Sequence, residues 1–182
     1  MHPLEKFQYC PRCGSPHFEK DSVKSRHCLD CGLEYFMNAS SANVALILNG
    51  RGELLIERRK MAPAQGMLDL PGGFADIGET AEEGVCREVK EETGLTVTRA
   101  DYLFSLPNRY EYSGIVIPTL DLFFLCTVED TSMLAAADDA AEVMWIPCDE
   151  IRPELFGLDS VRQGVMRFVR DRTSRCPSGR NT

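Results

Sequence analysis

The sequence predicts an α/β domain preceded by a small cysteine-paired module, on three observations. The run Ala42-Asn-Val-Ala-Leu-Ile-Leu48 has the length and β-branched content of a buried strand. Residues 73–95 read as a glycine loop feeding a short acidic helix, and Cys10-Pro-Arg-Cys13 is repeated in form by Cys28-Leu-Asp-Cys31. The chain has 182 residues, 43% hydrophobic and 8% aromatic, enough to fill one core with an appendage. A net charge of -8 argues against a broad electrostatic grip on nucleic acid, while an anionic ligand held by a few local cations or metals stays open. No apolar run approaches the roughly 18 residues of a membrane span, and residues 1–9 lack the apolar segment of a signal peptide. A cytoplasmic protein with no membrane partner is the expectation.

From the N-terminus, two C-x2-C-G pairs are separated by fourteen residues. Each offers two thiolates from one tight turn, and the following glycine permits positive φ, so Cys10, Cys13, Cys28 and Cys31 predict a tetrahedral four-sulfur zinc site. Four cysteines leave no open position, which makes this zinc structural. Disulfides are the competing reading, disfavoured in a reducing compartment. Residues 1–36 carry five Lys/Arg and five Asp/Glu, no basic surface for nucleic acid, so the ribbon is expected to be a scaffold or a homodimer contact. Cys86, Cys126, Cys148 and Cys176 are isolated and read as ordinary thiols.

An Asn/Ser-rich link leads into the strand at 42–48. Asn49-Gly-Arg-Gly52 is a turn signal, and Glu53–Arg58 then reads as the partner strand of a hairpin. Arg58 and Arg59 stand at its end. Pro71, Gly72 and Gly73 stop any helix and shape the backbone entering the acidic segment. Beyond Leu95 the expectation is a strand over 96–104, a loop at 106–109 and a second strand over 115–128. A short helix or turn at 149–155 and an amphipathic helix over 159–170, capped by Asp159 or Ser160, complete the fold. The expected division is a ribbon at 1–37, a main domain at 38–172 and a disordered tail at 173–182.

The acidic helix carries the chemistry. At about 100° per residue, Glu88, Glu91 and Glu92 fall within roughly a 100° arc, with Lys90 nearly opposite. Ala81 and Gly84 share that arc and leave room above it, while Val85 and Val89 lie to one side as core anchors. Carboxylates at such spacing repel, and Arg87 supplies only part of the counter-charge, so a divalent cation is implied. A solvated acidic face is the bland alternative. The whole string decides: Gly73, Glu79, Arg87, Glu88, Val89, Glu91, Glu92, Gly94 and Leu95 match G-x5-E-x7-R-E-U-x-E-E-x-G-U, U being aliphatic. On this match the chain resembles the Nudix hydrolases.

The resemblance implies an α/β/α sandwich with a mixed sheet, bound magnesium or manganese, and hydrolysis of the diphosphate in a nucleoside diphosphate linked to another group. It implies Glu88, Glu91 and Glu92 as metal ligands, with the Gly73 carbonyl added, and Arg87 with Glu79 as the pair holding helix and loop in register. Arg58 and Arg59 are similar to basic residues that touch substrate phosphate in the family, or are a solvated strand end. The segment Asp138 to Trp145 resembles the late acidic loop, in which Asp139 or Glu142 completes the metal shell, acts as general base, or is a solvated acid. A zinc ribbon ahead of this domain also resembles the NADH pyrophosphatases, but their signature S-Q-P-W-P-F-P is reduced to Ser105-Leu-Pro107-Asn-Arg-Tyr110. That departure favours a broader nucleotide-type substrate, ADP-ribose first with NADH or FAD behind it. Phe104, Tyr110 and Tyr112 are candidates to stack on the base, or are core. The alternative function is a nucleotide sensor without catalysis whose ribbon binds a protein or RNA; the intact box argues against it.

Overall fold

The computed structural model describes residues 2–134 and 140–175. Three short antiparallel strands, β1 (Phe18–Lys20), β2 (Ser25–Cys28) and β3 (Glu34–Phe36), make the ribbon sheet in the order β1-β2-β3. Its buried centre is Cys10, Phe18 and Cys28, flanked by Phe7, Cys31 and Leu33. A core this small needs a staple to stay folded.

The main domain is built on two sheets. Strand β4 (Ser40–Ile47) runs parallel to β9 (Ile115–Val128) and antiparallel to β7 (Gly72–Phe74), and β8 (Val97–Tyr112) completes a mixed sheet in the order β7-β4-β9-β8. Strand β5 (Glu53–Arg59) instead centres a second sheet, between β6 (Leu68–Asp69) and β10 (Ala140–Pro147). The expected hairpin is thereby corrected. The turn forms, with the Gly52 N–H donating to Asn49 O at 2.9 Å, but only an isolated bridge, Leu48 to Leu54, joins the two strands. Both strands are apolar on both faces, so the turn fixes their direction and the sheets decide their partners.

The loop expected at 106–109 is also corrected. β8 continues through Pro107, which lies opposite Leu120. Proline donates no ladder bond, and β8 is an edge strand, where that loss costs little.

Alternation along β4 sends Val44 and Leu46 to one face and Ala45 and Ile47 to the other. The first face packs on Val161, Val165 and Phe168 of α2 (Asp159–Arg175), the second on Val85 and Val89 of α1 (Ala81–Thr93). Each buried valine is worth about 2 kcal/mol. Helices on both faces of a mixed sheet are the predicted α/β/α sandwich. Ser160 lies inside the first turn of α2 and donates to the buried Asp121 carboxylate, so it ties the helix to β9 and does not cap it. α2 reaches Arg175, into the segment expected as a tail; residues 176–182 lie outside the described residues, as do Asp138 and Asp139. The turn expected at 149–155 is a single 3-10 turn, Pro153–Leu155.

Candidate active site

The site is set by how α1 begins and ends. Thr80 Oγ1 accepts from the Glu83 N–H at 3.2 Å while the Glu83 carboxylate accepts from the Thr80 N–H at 2.8 Å, a reciprocal cap. At the other end Gly94, with φ 71°, donates to Lys90 O at 3.0 Å. The helix is therefore fixed at both ends over strand β7. Arg87 forks onto Glu79, with Nη2 to Oε1 at 2.8 Å and Nε to Oε2 at 3.1 Å, and reaches Phe74 O at 3.1 Å. Loop, strand and helix are joined by that one guanidinium.

Glu88 and Glu92 face a cleft of about 580 Å³ that also takes in Gly72, Gly73, Glu57 and Asp69. A Cβ on Gly73 would stand 2.5 Å from Glu88 Oε1, so a side chain there would push that carboxylate from its place. The Gly72 N–H donates to Glu92 Oε2 at 2.7 Å. Glu91 is turned outward: its side chain is 59% exposed, and its carboxylate accepts from Arg87 Nη1 at 3.0 Å. The same Nη1 donates to Glu88 Oε1 at 2.9 Å, so Arg87 stands between Glu88 and Glu91 and keeps them apart. Burial pushes the Glu92 carboxyl well above its ordinary value, helped by the charges of Glu57, Glu88 and Asp69 and opposed by the Gly72 N–H. Glu88 is raised too, by burial first, against the pull of Arg87.

Arg59 lines the cleft, but its guanidinium is already engaged by the buried Asp69 carboxylate, by Pro63 O at 2.7 Å and by Tyr110 Oη at 3.2 Å. Tyr110 packs edge-on against Phe74, centroids 5.4 Å apart, and stacks near Tyr112 at 6.5 Å, giving the cleft an aromatic wall. Phe104 is buried against Phe123 in the core, away from that wall. Arg58 and Glu142 lie outside the cleft lining, paired with each other at 3.2 Å on an exposed flank.

Among the cleft residues not anticipated from sequence are Asn43, Glu57, Lys60, Asp69 and Phe74. Glu57 had a readable signal, a lone carboxylate closing the apolar run Leu54-Leu55-Ile56. Asn43 is 1% exposed, with neither amide atom hydrogen-bonded, and its side chain lies beneath Gly84 of α1. A polar residue in an otherwise aliphatic buried strand was its only signal.

In the ribbon, the four sulfurs of Cys10, Cys13, Cys28 and Cys31 lie within 4.8 Å of one another, all reduced. Cys10 and Cys31 sulfurs are 3.6 Å apart, as are those of Cys13 and Cys28, close to the edge of about 3.8 Å that tetrahedral Zn–S bonds of about 2.3 Å require. Burial pushes the Cys28 thiol up, yet the N–H groups of Cys31 and Asp30 and the neighbouring thiols win, holding it at about 6. The pocket fits structural zinc.

Residues 37–167 match the NUDIX domain family. The chain belongs to that family. Residues 5–36 of this Nudix protein match the NADH pyrophosphatase zinc ribbon domain. It is 30% identical over 165 residues to the NAD-capped RNA hydrolase NudC of Chromobacterium violaceum, covering 91% of this chain and 59% of that protein. The same-named protein of Haemophilus influenzae is 26% identical over 155 residues, 85% of this chain and 56% of that one. This Nudix chain thus spans somewhat over half the length of these curated relatives. The crystal structure of a NUDIX hydrolase from Nitrosomonas europaea superposes with a TM-score of 0.74 at 20% identity, covering 93% of this chain and 94% of that one. The MutT protein of Methanosarcina mazei Go1 gives 0.58 at 28% identity, covering 74% and 95%. Among the described residues no helix is long and apolar enough to cross a membrane.

Proposed function

We propose that this chain is a metal-dependent hydrolase of the diphosphate linkage in a nucleoside diphosphate joined to another group, taking ADP-ribose and NAD-type dinucleotides. The observation that carries this is the pair Glu88 and Glu92 standing over the Gly72-Gly73 backbone, opposite an aromatic wall in the same cleft. The donor chemistry fits magnesium or manganese: hard carboxylate and carbonyl oxygens, with no thiol or imidazole in the lining. The crowded carboxylates and the unbonded Asn43 amide are further signs of a site shaped for a charged ligand. Glu88, Glu92 and the Gly73 carbonyl would hold the cation, and Glu91 would join them by leaving Arg87. A divalent cation there neutralises diphosphate charge and lowers the pKa of a bound water toward neutrality.

The chain's own residues bind and orient. The Arg87 fork keeps Glu88 aimed into the cleft, and Lys60 on the rim offers a cation to phosphate oxygens. Arg59 holds Tyr110 in place, so its part is to position the ring more than to grip phosphate. Phe74, Tyr110 and Tyr112 offer ring surface to a base or nicotinamide. Glu142 stays with Arg58, and Asp139 is left as the alternative late acid, outside the described residues. The names of the relatives support an NAD-type substrate, and the altered segment Ser105–Tyr110 supports tolerance at the nicotinamide end. A cytoplasmic setting is part of this proposal, because the ribbon cysteines must stay reduced to hold zinc.

The test is product analysis over a panel of ADP-ribose, NADH, FAD and nucleoside triphosphates with magnesium. AMP release from the dinucleotide-type compounds, ADP-ribose among the best, is expected. Preference for a triphosphate by tenfold or more, about 1.4 kcal/mol in transition-state selection, overturns the substrate class.

A further inference from the structure

Glu57 lies outside the box, on β5, and none of the roles above falls to it. It is 5% exposed, yet it lines the cleft that Glu88 and Glu92 face. Its register partner on β6 is Asp69, itself 4% exposed, and like charges directly opposite on a sheet are destabilising. Leu54, Leu55 and Ile56 precede Glu57, so an aliphatic side chain would have suited the strand without this cost. Buried carboxylates crowd together in this way where a cation bridges them. Independently, Asn43 in the lining of the same cleft is 1% exposed with both amide atoms unbonded, which points to a ligand that the protein atoms alone do not replace.

We propose that Glu57 is a further carboxylate of the divalent-cation site, so that the site draws oxygen ligands from strand β5 as well as from α1. This rests on the reading of the cleft as a cation site. Recruiting a strand residue couples the two sheets: the cation would join the β10-β5-β6 sheet to the helix that lies over β7. Binding should therefore stiffen the molecule across the cleft as well as along α1.

The experiment is manganese titration, followed by electron paramagnetic resonance, of the full zinc-loaded chain and its Glu57→Gln, Glu57→Asp and Glu92→Gln variants. Thermal unfolding is recorded with and without manganese. The wild type is expected to bind, and both Gln variants to weaken binding at least tenfold. Glu57→Asp, which keeps the charge on a shorter arm, should fall between, and serves alone if Glu57→Gln does not fold. The metal-induced rise in melting temperature should shrink in Glu57→Gln while its metal-free melting temperature holds or rises. If Glu92→Gln loses manganese but both Glu57 variants bind as the wild type does, Glu57 has no place in the site and the cation reading stands. If the wild type binds no manganese, both fall.

Discussion

Arg87 and Glu79 meet through two parallel bonds, at 2.8 and 3.1 Å, and so bind the loop that precedes α1 to the middle of the helix. The same guanidinium bonds Glu88, Glu91 and Phe74 O. Removing it strands three carboxylates at once, and a lysine cannot replace a planar fork. Arg87→Ala is expected to lose about 2 kcal/mol of stability in urea unfolding, with Arg87→Lys recovering only part. An unchanged midpoint in Arg87→Ala would mean the network is ornamental to the fold.

Glu79 titration follows from the same pair. The bond from Arg87 holds its carboxyl below the ordinary value, the Asp76 N–H assists, and burial opposes. A lowered folded pKa gives stability that is present above the unfolded value of about 4.3 and is lost as pH falls through the folded one. Glu79→Gln lacks this contribution. The gap in melting temperature between wild type and Glu79→Gln should be widest near neutrality and close as pH falls below about 4. A gap constant across that range counts against the assignment.

Gly73 is a steric requirement. An added Cβ would sit 2.5 to 2.8 Å from the Glu88 carboxylate atoms, and that side chain is held by Arg87, so it must give way. Gly73→Ala is expected to cut turnover about a hundredfold, a shift of about 2.7 kcal/mol in the barrier, while changing the unfolding midpoint far less. Full activity in Gly73→Ala would show that Glu88 need not stay where it lies.

The zinc ribbon gives a prediction independent of the cleft. Metal analysis should find about one zinc per chain, and Cys28→Ser should lose it, since a closed tetrahedral site tolerates no missing thiolate. Proteolysis of the zinc-free protein should start within residues 1–37 while the main domain resists. Disulfides mapped among Cys10, Cys13, Cys28 and Cys31 would reverse this.

Local features were legible and long-range ones were not. The arc of Glu88, Glu91 and Glu92 follows from helical periodicity alone, and the cysteine pairs from spacing. The direction of Glu91 was not legible, because Arg87 draws it outward and only the folded loop places Glu79 to share that arginine. The turn at 49–52 was readable, but the choice of sheet for β5 depends on β10, more than eighty residues later. Pro107 read as a break because a proline does not announce that its strand is an edge. Glu57 and Asn43 belong to no motif; their place shows only when β5 and β4 are brought under α1.

The central claim is that the carboxylates over Gly72-Gly73 form the hydrolytic centre. The most direct test is the turnover of ADP-ribose with magnesium by Glu92→Gln, with its melting temperature measured alongside. The predicted result is a loss of two or more orders of magnitude, since charge stabilisation at such a centre is worth several kcal/mol, in a protein that remains folded. Near wild-type turnover by folded Glu92→Gln would contradict it.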